Sequence, residues 1–238
     1  LEALRERRAA GVILFGGNIV SPAQLRALTG SLRRTGGRPL VAVDQEGGRV
    51  RRVAWVGPRR AQSEQAQAGA VRADAAMSAR ALRALGITVN LAPVADVPSV
   101  SRAAIADRAF SRDPAVVSAS VRAAVRGWRS GAVAPAVKHF PGIGAAAENT
   151  DDAVVRIARS RAGLERVDLA PFRAAVAADV PLVMVGHGRY PALDRFRIAS
   201  QSAPIIDGLL RDELGFDGVA VTDSLEARAS LSTGSLER

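Results

Sequence analysis

Cysteine is absent from this sequence of 238 residues, which excludes disulfide bonds, thiolate metal ligands and a cysteine nucleophile. Long hydrophobic runs are also absent, because no apolar stretch approaches the ~18 residues that a membrane-spanning helix needs. Aromatic residues make up only 4% of the chain. The first residues, LEALRERR, contain no initiator methionine, so we interpret the sequence as a piece of a longer chain whose compartment it does not specify.

Lysine and histidine are scarce, although the chain has 33 basic residues. Its single lysine, Lys138, is followed by His139, which is one of only two histidines. Both come after the apolar run 133–137, which predicts a buried strand. Because lysine and arginine differ in shape, hydration and pKa behaviour, we expect position 138 to require an ammonium group for function.

The formal net charge of +10 raises the question of a polyanionic partner. The arginines are spread through every segment, and no basic patch with interleaved aromatic residues accompanies them, so we do not predict nucleic-acid binding. Affinity for an anionic polymer such as cell-wall material is still compatible with this charge.

Apolar runs alternate with segments of helical periodicity, at intervals of roughly 30 to 50 residues. The predicted strands are 11–15, 39–43, 87–94, 133–137, 181–185 and 218–221, and the main predicted helices follow Ser21-Pro22, span 63–85, follow Asp113-Pro114, span 164–178 and follow Ser202. This alternation indicates β/α units around a parallel sheet.

The phosphate-binding motifs of doubly wound sheets do not follow any of these strands, so we favour a TIM-type (β/α)8 barrel. Six strands are evident where the barrel needs eight. We therefore expect a single barrel domain over residues 1–238, with the first and last strands outside the given chain.

Polar or ionisable residues follow five of the six predicted strands: Asp44, Asp96, Lys138 with His139, His187 and Asp223. Because the carboxyl ends of parallel strands share one face, these groups should converge. Carboxylates around a Lys-His pair suit a polyhydroxylated substrate, and a carboxylate can attack an anomeric carbon. The sequence has no paired histidines at helical spacing and no dense aspartate motif, so we predict no metal site and no cofactor.

Seven blocks of sequence resemble the N-terminal barrel of glycoside hydrolase family 3, especially bacterial β-N-acetylhexosaminidases. They are GVILFGGNI, VAVDQEGGRV, NLAPVADV, IADRAFSRDP, VKHFPGIG, LVMVGHGRYPALD and LLRDELGFDGVAVTDSLEA. The resemblance implies a retaining exo-β-glycosidase that hydrolyses terminal β-N-acetylglucosaminides or related β-glycosides, with Asp223 as nucleophile. It further implies that the carbohydrate substrate is held by Asp44, Arg52, Arg108, Lys138 and His139, and that His187 lines the same pocket.

The loop after KHFPG departs from this pattern. Family hexosaminidases carry an Asp-x-His dyad whose histidine is the general acid/base, whereas this chain has Asn149-Thr150-Asp151, and Ile143 replaces a further histidine. Asp151 is our candidate acid/base, with Asp152 or Glu148 as substitutes, its pKa raised inside a closed loop. The acid could instead come from another domain. In the third alternative hydrolysis is lost, and the protein binds carbohydrate or acts as an interaction protein.

Overall fold

The computed structural model describes residues 2–150 and 152–232 of the chain. Asp151, the candidate acid/base, lies outside the described residues. The strands are β1 Gly11–Ile13, β2 Leu40–Val43, β3 Gln45–Gly47, β4 Val50–Arg51, β5 Val89–Asn90, β6 Ala134–Phe140, β7 Leu182–Val185 and β8 Val219–Thr222.

The helices are α1 Glu2–Arg5, α2 Pro22–Arg33, α3 Gln62–Gln67, α4 Val71–Ala84, α5 Pro114–Ser130, α6 Arg161–Arg166, α7 Ala170–Val176 and α8 Arg228–Leu231. A π-helix, Pro204–Glu213, lies between β7 and β8. Both predicted cap-plus-proline starts are confirmed, since Ser21 caps α2 and Asp113 caps α5 by accepting hydrogen bonds from backbone N–H groups. No helix in the described part of the chain is long and apolar enough to cross a membrane.

A six-stranded parallel sheet, in the order β1-β2-β5-β6-β7-β8, forms the centre of the described residues. The predicted parallel α/β architecture is therefore confirmed, and each strand pairs with the sheet strands that precede and follow it along the chain. The short hairpin β3-β4 directly follows β2 and pairs separately.

Residues within one strand alternate between the two faces of this sheet. Val41, Val43 and Val183 belong to the large core that includes the helices, whereas Ala42 and Met184 belong to a small cluster built from strand and strand-flanking residues. The helices of the described core thus cover one face, as expected for a barrel and not for a doubly wound sheet.

Close approach of α4 and α5 strengthens this helical layer. A Cβ atom at Gly127 of α5 would lie only 2.5 Å from the carbonyl oxygen of Arg72 in α4, so the contact requires glycine. The predicted apolar face of α5 is buried throughout, namely Val117, Val121, Ala124 and Trp128.

Two predicted helices are each divided in two. The segment 63–85 breaks at Gly69, whose φ of +61° lies in the left-handed region, into α3 and α4. The segment 164–178 breaks into α6 and α7, because Pro171 in the first turn of α7 has no N–H group to continue a preceding helix.

Three predicted strands differ clearly in their bounds, and the first of them, 11–15, shortens to Gly11–Ile13. The strand 133–137 extends to Phe140, so that Lys138 and His139 belong to β6 itself, and their peptide bond is cis. The strand 87–94 shortens to Val89–Asn90. The side-chain amide of Gln62 forms two hydrogen bonds with the backbone of Val94: it accepts one from the N–H at 3.0 Å and donates one to the carbonyl oxygen at 3.1 Å.

Candidate active site

A pocket of about 920 Å³ lies at the carboxyl ends of the parallel strands. Six of the predicted site residues line it together: Asp44, Arg52, Arg108, Lys138, His139 and Asp223. Four of them, Asp44, Lys138, His139 and Asp223, follow strands and converge as predicted, whereas Asp96 and His187 do not line this pocket. Ile13, Phe15, Leu91 and Met184 supply apolar walls.

Lys138 is the centre of an ion-pair network in this pocket. Its Nζ lies 2.7 Å from Asp44 Oδ1 and 2.9 Å from Glu46 Oε1, and its side chain is only 4% exposed. An ammonium group has three N–H donors, so one donor is left for a ligand after both carboxylates are satisfied.

Glu46 connects Lys138 to Arg108. The guanidinium of Arg108 donates to both carboxylate oxygens of Glu46, at 2.9 Å from Nε and 2.6 Å from Nη2. This bidentate geometry fixes the plane of both groups. Arg52 approaches the outer carboxylate of the network, with its Nε 3.9 Å from Asp44 Oδ2.

Contacts within the network shift the pKa values of Glu46 and Lys138 toward their charged forms. Burial alone would raise the pKa of Glu46, but Lys138 and Arg108 outweigh it and lower that pKa to about 2. Burial alone would lower the pKa of Lys138, but Glu46 and Asp44 raise it above its ordinary value. Glu46 and Lys138 therefore both stay charged near neutral pH.

A second chain of contacts leads from a buried carboxylate to Asp223. His139 Nδ1 lies 2.7 Å from Asp96 Oδ2, and Asp96 Oδ1 accepts a hydrogen bond from the Ile143 backbone at 2.8 Å. The other ring nitrogen, His139 Nε2, lies 3.9 Å from Asp223 Oδ2. Asp96 thereby fixes the orientation of the imidazole that faces Asp223.

Asp223 follows β8 directly and is 19% exposed at its side chain. Its Oδ1 accepts a hydrogen bond from the Ser224 N–H at 2.8 Å. Burial would raise its pKa, but His139, the Ser224 N–H, Lys138 and His187 together lower it. A partly exposed carboxylate that stays ionised is suited to act as a nucleophile.

His187 is buried behind this strand end and does not line the pocket formed by the described residues. Its Nδ1 lies 2.7 Å from Ser200 Oγ, and its Nε2 lies 2.8 Å from the carbonyl oxygen of Ser224. The structure thus gives His187 a supporting contact to the segment that carries Asp223. Direct contact with a sugar stays a prediction.

The loop in which the family dyad is replaced lies against the pocket. Asn149 and Thr150 line a cavity of about 100 Å³ together with Arg108, His139 and Asp223. Glu148 and Asp152, the two other candidate acids, are exposed and line neither cavity.

Glu46 and Asp96 contact the site residues, although the sequence pattern gave Glu46 no role and Asp96 no specific one. Glu46 follows a predicted strand by three residues, but its two partners are distant in sequence, and nothing local signals the contacts. The hairpin that carries Glu46 is held by Asn90, whose amide exchanges two hydrogen bonds with the Gln45 backbone.

Comparisons with known proteins all match this chain to one family of glycosyl hydrolases. A family model described as the glycosyl hydrolase family 3 N-terminal domain matches residues 1–238. A beta-hexosaminidase from Xanthomonas oryzae pv. oryzae is 37% identical over 242 residues, covering 97% of this chain and 72% of that protein. A beta-hexosaminidase from Stenotrophomonas maltophilia is 38% identical with the same coverage of both chains.

Solved structures resemble the fold closely. A glycoside hydrolase family 3 beta-N-acetylglucosaminidase from Paenibacillus sp. str. FPU-7 superposes with a TM-score of 0.92 at 35% identity, over 97% of this chain and 46% of that one. This chain thus spans about half the length of that relative. NagZ from Neisseria gonorrhoeae, in complex with N-trifluoroacetyl-D-glucosamine, gives 0.88 at 30% identity, over 98% of this chain and 76% of that one.

Proposed function

The chain belongs to glycosyl hydrolase family 3, and on this basis we propose that it is a retaining exo-β-glycosidase that cleaves terminal β-N-acetylglucosaminides or related β-glycosides. The observation that carries the proposal is the ionised Asp223 carboxylate, which faces a pocket lined by Asp44, Arg52 and Lys138. The N-trifluoroacetyl-D-glucosamine bound by the Neisseria relative supports an N-acylated amino sugar as the substrate class.

The first step that we propose is attack by Asp223 on the anomeric carbon. Because Oδ1 accepts a hydrogen bond from Ser224, we assign Oδ2 as the attacking oxygen. The bond to the leaving oxygen breaks as the Asp223 ester forms, and the leaving oxygen takes up a proton. Water then hydrolyses the ester and regenerates the carboxylate, with net retention of configuration.

The ion-pair network is the proposed binding subsite for the terminal sugar. Asp44 accepts and Lys138 donates hydrogen bonds within one pair 2.7 Å apart, a combination that fits two neighbouring hydroxyl groups. Arg108 and Glu46 keep the ammonium group in position. We further propose that residues 1–238 belong to a single domain, an eight-stranded barrel that includes the six parallel strands, because the helices of the described core cover one face of the sheet.

Asp151 is the proposed general acid/base. Its neighbours Asn149 and Thr150 line a cavity with Asp223, whereas the alternative acids Glu148 and Asp152 are exposed. A carboxylic acid can serve in place of the family's histidine if its surroundings raise its pKa.

Leaving-group dependence tests this assignment. The dinitrophenolate of a dinitrophenyl β-N-acetylglucosaminide departs without a proton, whereas the alkoxide of an alkyl or saccharide β-N-acetylglucosaminide needs one. We expect Asp151→Asn to lower kcat/KM for the second substrate by about 10²- to 10⁴-fold and to change the first much less. Asp152→Asn is the matched control and should behave as the wild-type chain. Equal rates for Asp151→Asn and wild type with both substrates would exclude Asp151 as the acid.

Asp223→Asn tests the nucleophile, with Asp207→Asn on the exposed side of the π-helix as control. The Asp223 variant should lose turnover of both substrates, since nucleophilic attack does not depend on the leaving group. Mass spectrometry of the wild-type chain with a slowly turned-over fluorinated glycoside should locate a glycosyl adduct on the peptide that contains Asp223. An adduct on a different carboxylate would refute the assignment.

A second candidate function is carbohydrate binding without hydrolysis, favoured by Asn149 and Thr150 at two of the three dyad-segment positions. In that case neither glycoside is turned over by the folded chain from about pH 4 to about pH 8. Calorimetry should still detect N-acetylglucosamine binding that Asp44→Ala abolishes. Turnover of the dinitrophenyl glycoside that depends on Asp223 would contradict this second candidate.

A further inference from the structure

A groove of about 650 Å³, separate from the candidate active site, has a strongly basic lining. Four arginines, Arg156, Arg159, Arg189 and Arg195, line it together with Ala158, Ser160, Pro191 and Ala192. None of these residues lines the large pocket around Asp223. The four arginines come from two segments, the loop before α6 and the stretch after β7, so the fold assembles the cluster.

Three of the four guanidinium groups lack an acidic partner among the described residues. Arg156, Arg189 and Arg195 form no ion pair in residues 2–150 and 152–232, whereas Arg159 Nε lies 3.1 Å from Asp168 Oδ2. Neighbouring arginines behave differently, since Arg161 pairs with both Glu165 and Glu213. Within the described part of the chain, three of the arginines that line the groove therefore have no acidic partner, whereas Arg161 beside it has two.

The backbone holds two of these arginines at opposed positions. Arg156 and Arg189 form a parallel bridge, with the Ile157 N–H donating to the Arg189 carbonyl at 2.8 Å and the Arg189 N–H donating to the Val155 carbonyl at 2.9 Å. Like charges at directly opposed positions repel each other. In addition, Nε of Arg189 is buried without a hydrogen-bond partner, which costs free energy until an acceptor arrives.

We propose that this groove is a binding site for a phosphate-type oxyanion, either free or carried by a saccharide. Guanidinium groups bind phosphate through paired N–H donors, and a dianion with several oxygens can engage several arginines, whereas a carboxylate offers only two oxygens. Binding relieves the repulsion between Arg156 and Arg189 and supplies the missing acceptor for Arg189 Nε. The site operates independently of hydrolysis at Asp223.

Isothermal titration calorimetry with inorganic phosphate tests the proposal, using chloride at equal ionic strength as the reference. Wild-type chain should bind phosphate saturably at one site. The double variant Arg156→Gln/Arg195→Gln removes two exposed side chains without touching the core, and should weaken binding about tenfold or more. Arg189→Gln should do the same if its circular dichroism spectrum and Tm match those of the wild-type chain.

The matched control is Arg122→Gln/Arg126→Gln, which removes the same net charge from exposed positions of α5. It should keep wild-type affinity. A hexose phosphate that binds more tightly than inorganic phosphate identifies a saccharide-borne ligand, and equal affinities identify free phosphate, both in support of the site. Absence of saturable binding, or equal weakening in the α5 control, would overturn the proposal.

Discussion

Replacing Glu46 with glutamine removes a buried carboxylate that contacts both Lys138 and Arg108, while the shape of the side chain hardly changes. In the native chain Glu46 and Asp44 balance Lys138 and Arg108. The variant leaves one positive charge of this buried group uncompensated. Removing one partner of a buried ion pair is much more costly than replacing the whole pair by apolar groups.

The size of the effect follows from the pKa of Glu46. The lowering of this pKa from 4.5 to about 2 corresponds to about 3 kcal/mol of favourable interaction with the charged form. No discount for solvent screening is needed, because the side chain is only 2% exposed. We therefore expect Glu46→Gln to lower the free energy of unfolding by about 3 kcal/mol at neutral pH.

The sign of the pH dependence of the Glu46 contribution to stability follows from the direction of its pKa shift. A lowered carboxyl pKa contributes stability above the unfolded-state pKa and loses it as the pH falls through the folded-state value. The difference between wild type and Glu46→Gln should be constant above about pH 5 and shrink as the pH falls from there toward 2.

Urea denaturation followed by circular dichroism measures this difference, with a loss of about 3 kcal/mol shifting the midpoint by about 1 M. Glu165→Gln is the matched control, since Glu165 also pairs with two arginines, Arg161 and Arg173, but lies near the surface. It should cost less than about 1 kcal/mol. If Glu46→Gln costs no more than this control, or if its cost does not shrink in acid, the network does not have the energetic role assigned to it.

Two further predictions concern buried positions outside the ion-pair network. Burial raises the pKa of Asp168 to about 7 despite the nearby Arg159, so ionisation of this carboxyl group should lower the free energy of unfolding by up to about 4 kcal/mol as the pH rises from about 4 to about 7. Asp168→Asn should abolish this decline in urea titrations across that pH range. An unchanged pH profile in the variant would refute the prediction. A Cβ atom at Gly144 would lie 1.9 Å from the Val97 carbonyl oxygen, so Gly144→Ala should lower the free energy of unfolding by about 1 to 3 kcal/mol. Gly208→Ala is the control and should not lower it, because a Cβ atom there meets open space. Equal effects of the two substitutions would refute the steric argument.

The sequence predicts what depends on local patterns. Strand positions follow from apolar runs, and the convergence of Asp44, Lys138 and Asp223 follows from parallel topology alone. Helix starts are equally local, as the Ser21 and Asp113 caps show. The places where helices break were underestimated, because one glycine or proline in a periodic segment is tolerated in many helices and decisive in others.

Contacts between distant segments were not predictable. Glu46 meets Arg108, 62 residues later in the chain, and no periodicity encodes that pairing. The shortening of the strand at Val94 depends on the side chain of Gln62, which substitutes for a neighbouring strand. His187 fits the pattern of polar strand ends, yet both of its ring nitrogens are engaged by Ser200 and Ser224.

The scarcity of lysine gives Lys138 a practical consequence. A protease that cleaves only after lysine has a single cleavage point in the whole chain, the peptide bond between Lys138 and His139. That bond lies inside β6, where both flanking side chains are buried. Local fraying of loops or termini does not expose it, so cleavage requires the sheet itself to open.

A pulse of such a protease therefore divides the unfolded chain into two fragments, residues 1–138 and 139–238, and leaves the folded chain intact. The fraction of intact chain on a gel reads the global folding equilibrium directly, without labels or spectroscopy. Ligands that bind the Lys138 subsite stabilise the folded chain, so the rate of cleavage should fall as their occupancy rises. The same ammonium group that we assign to sugar binding thus makes the stability of the sheet measurable by a single proteolytic event.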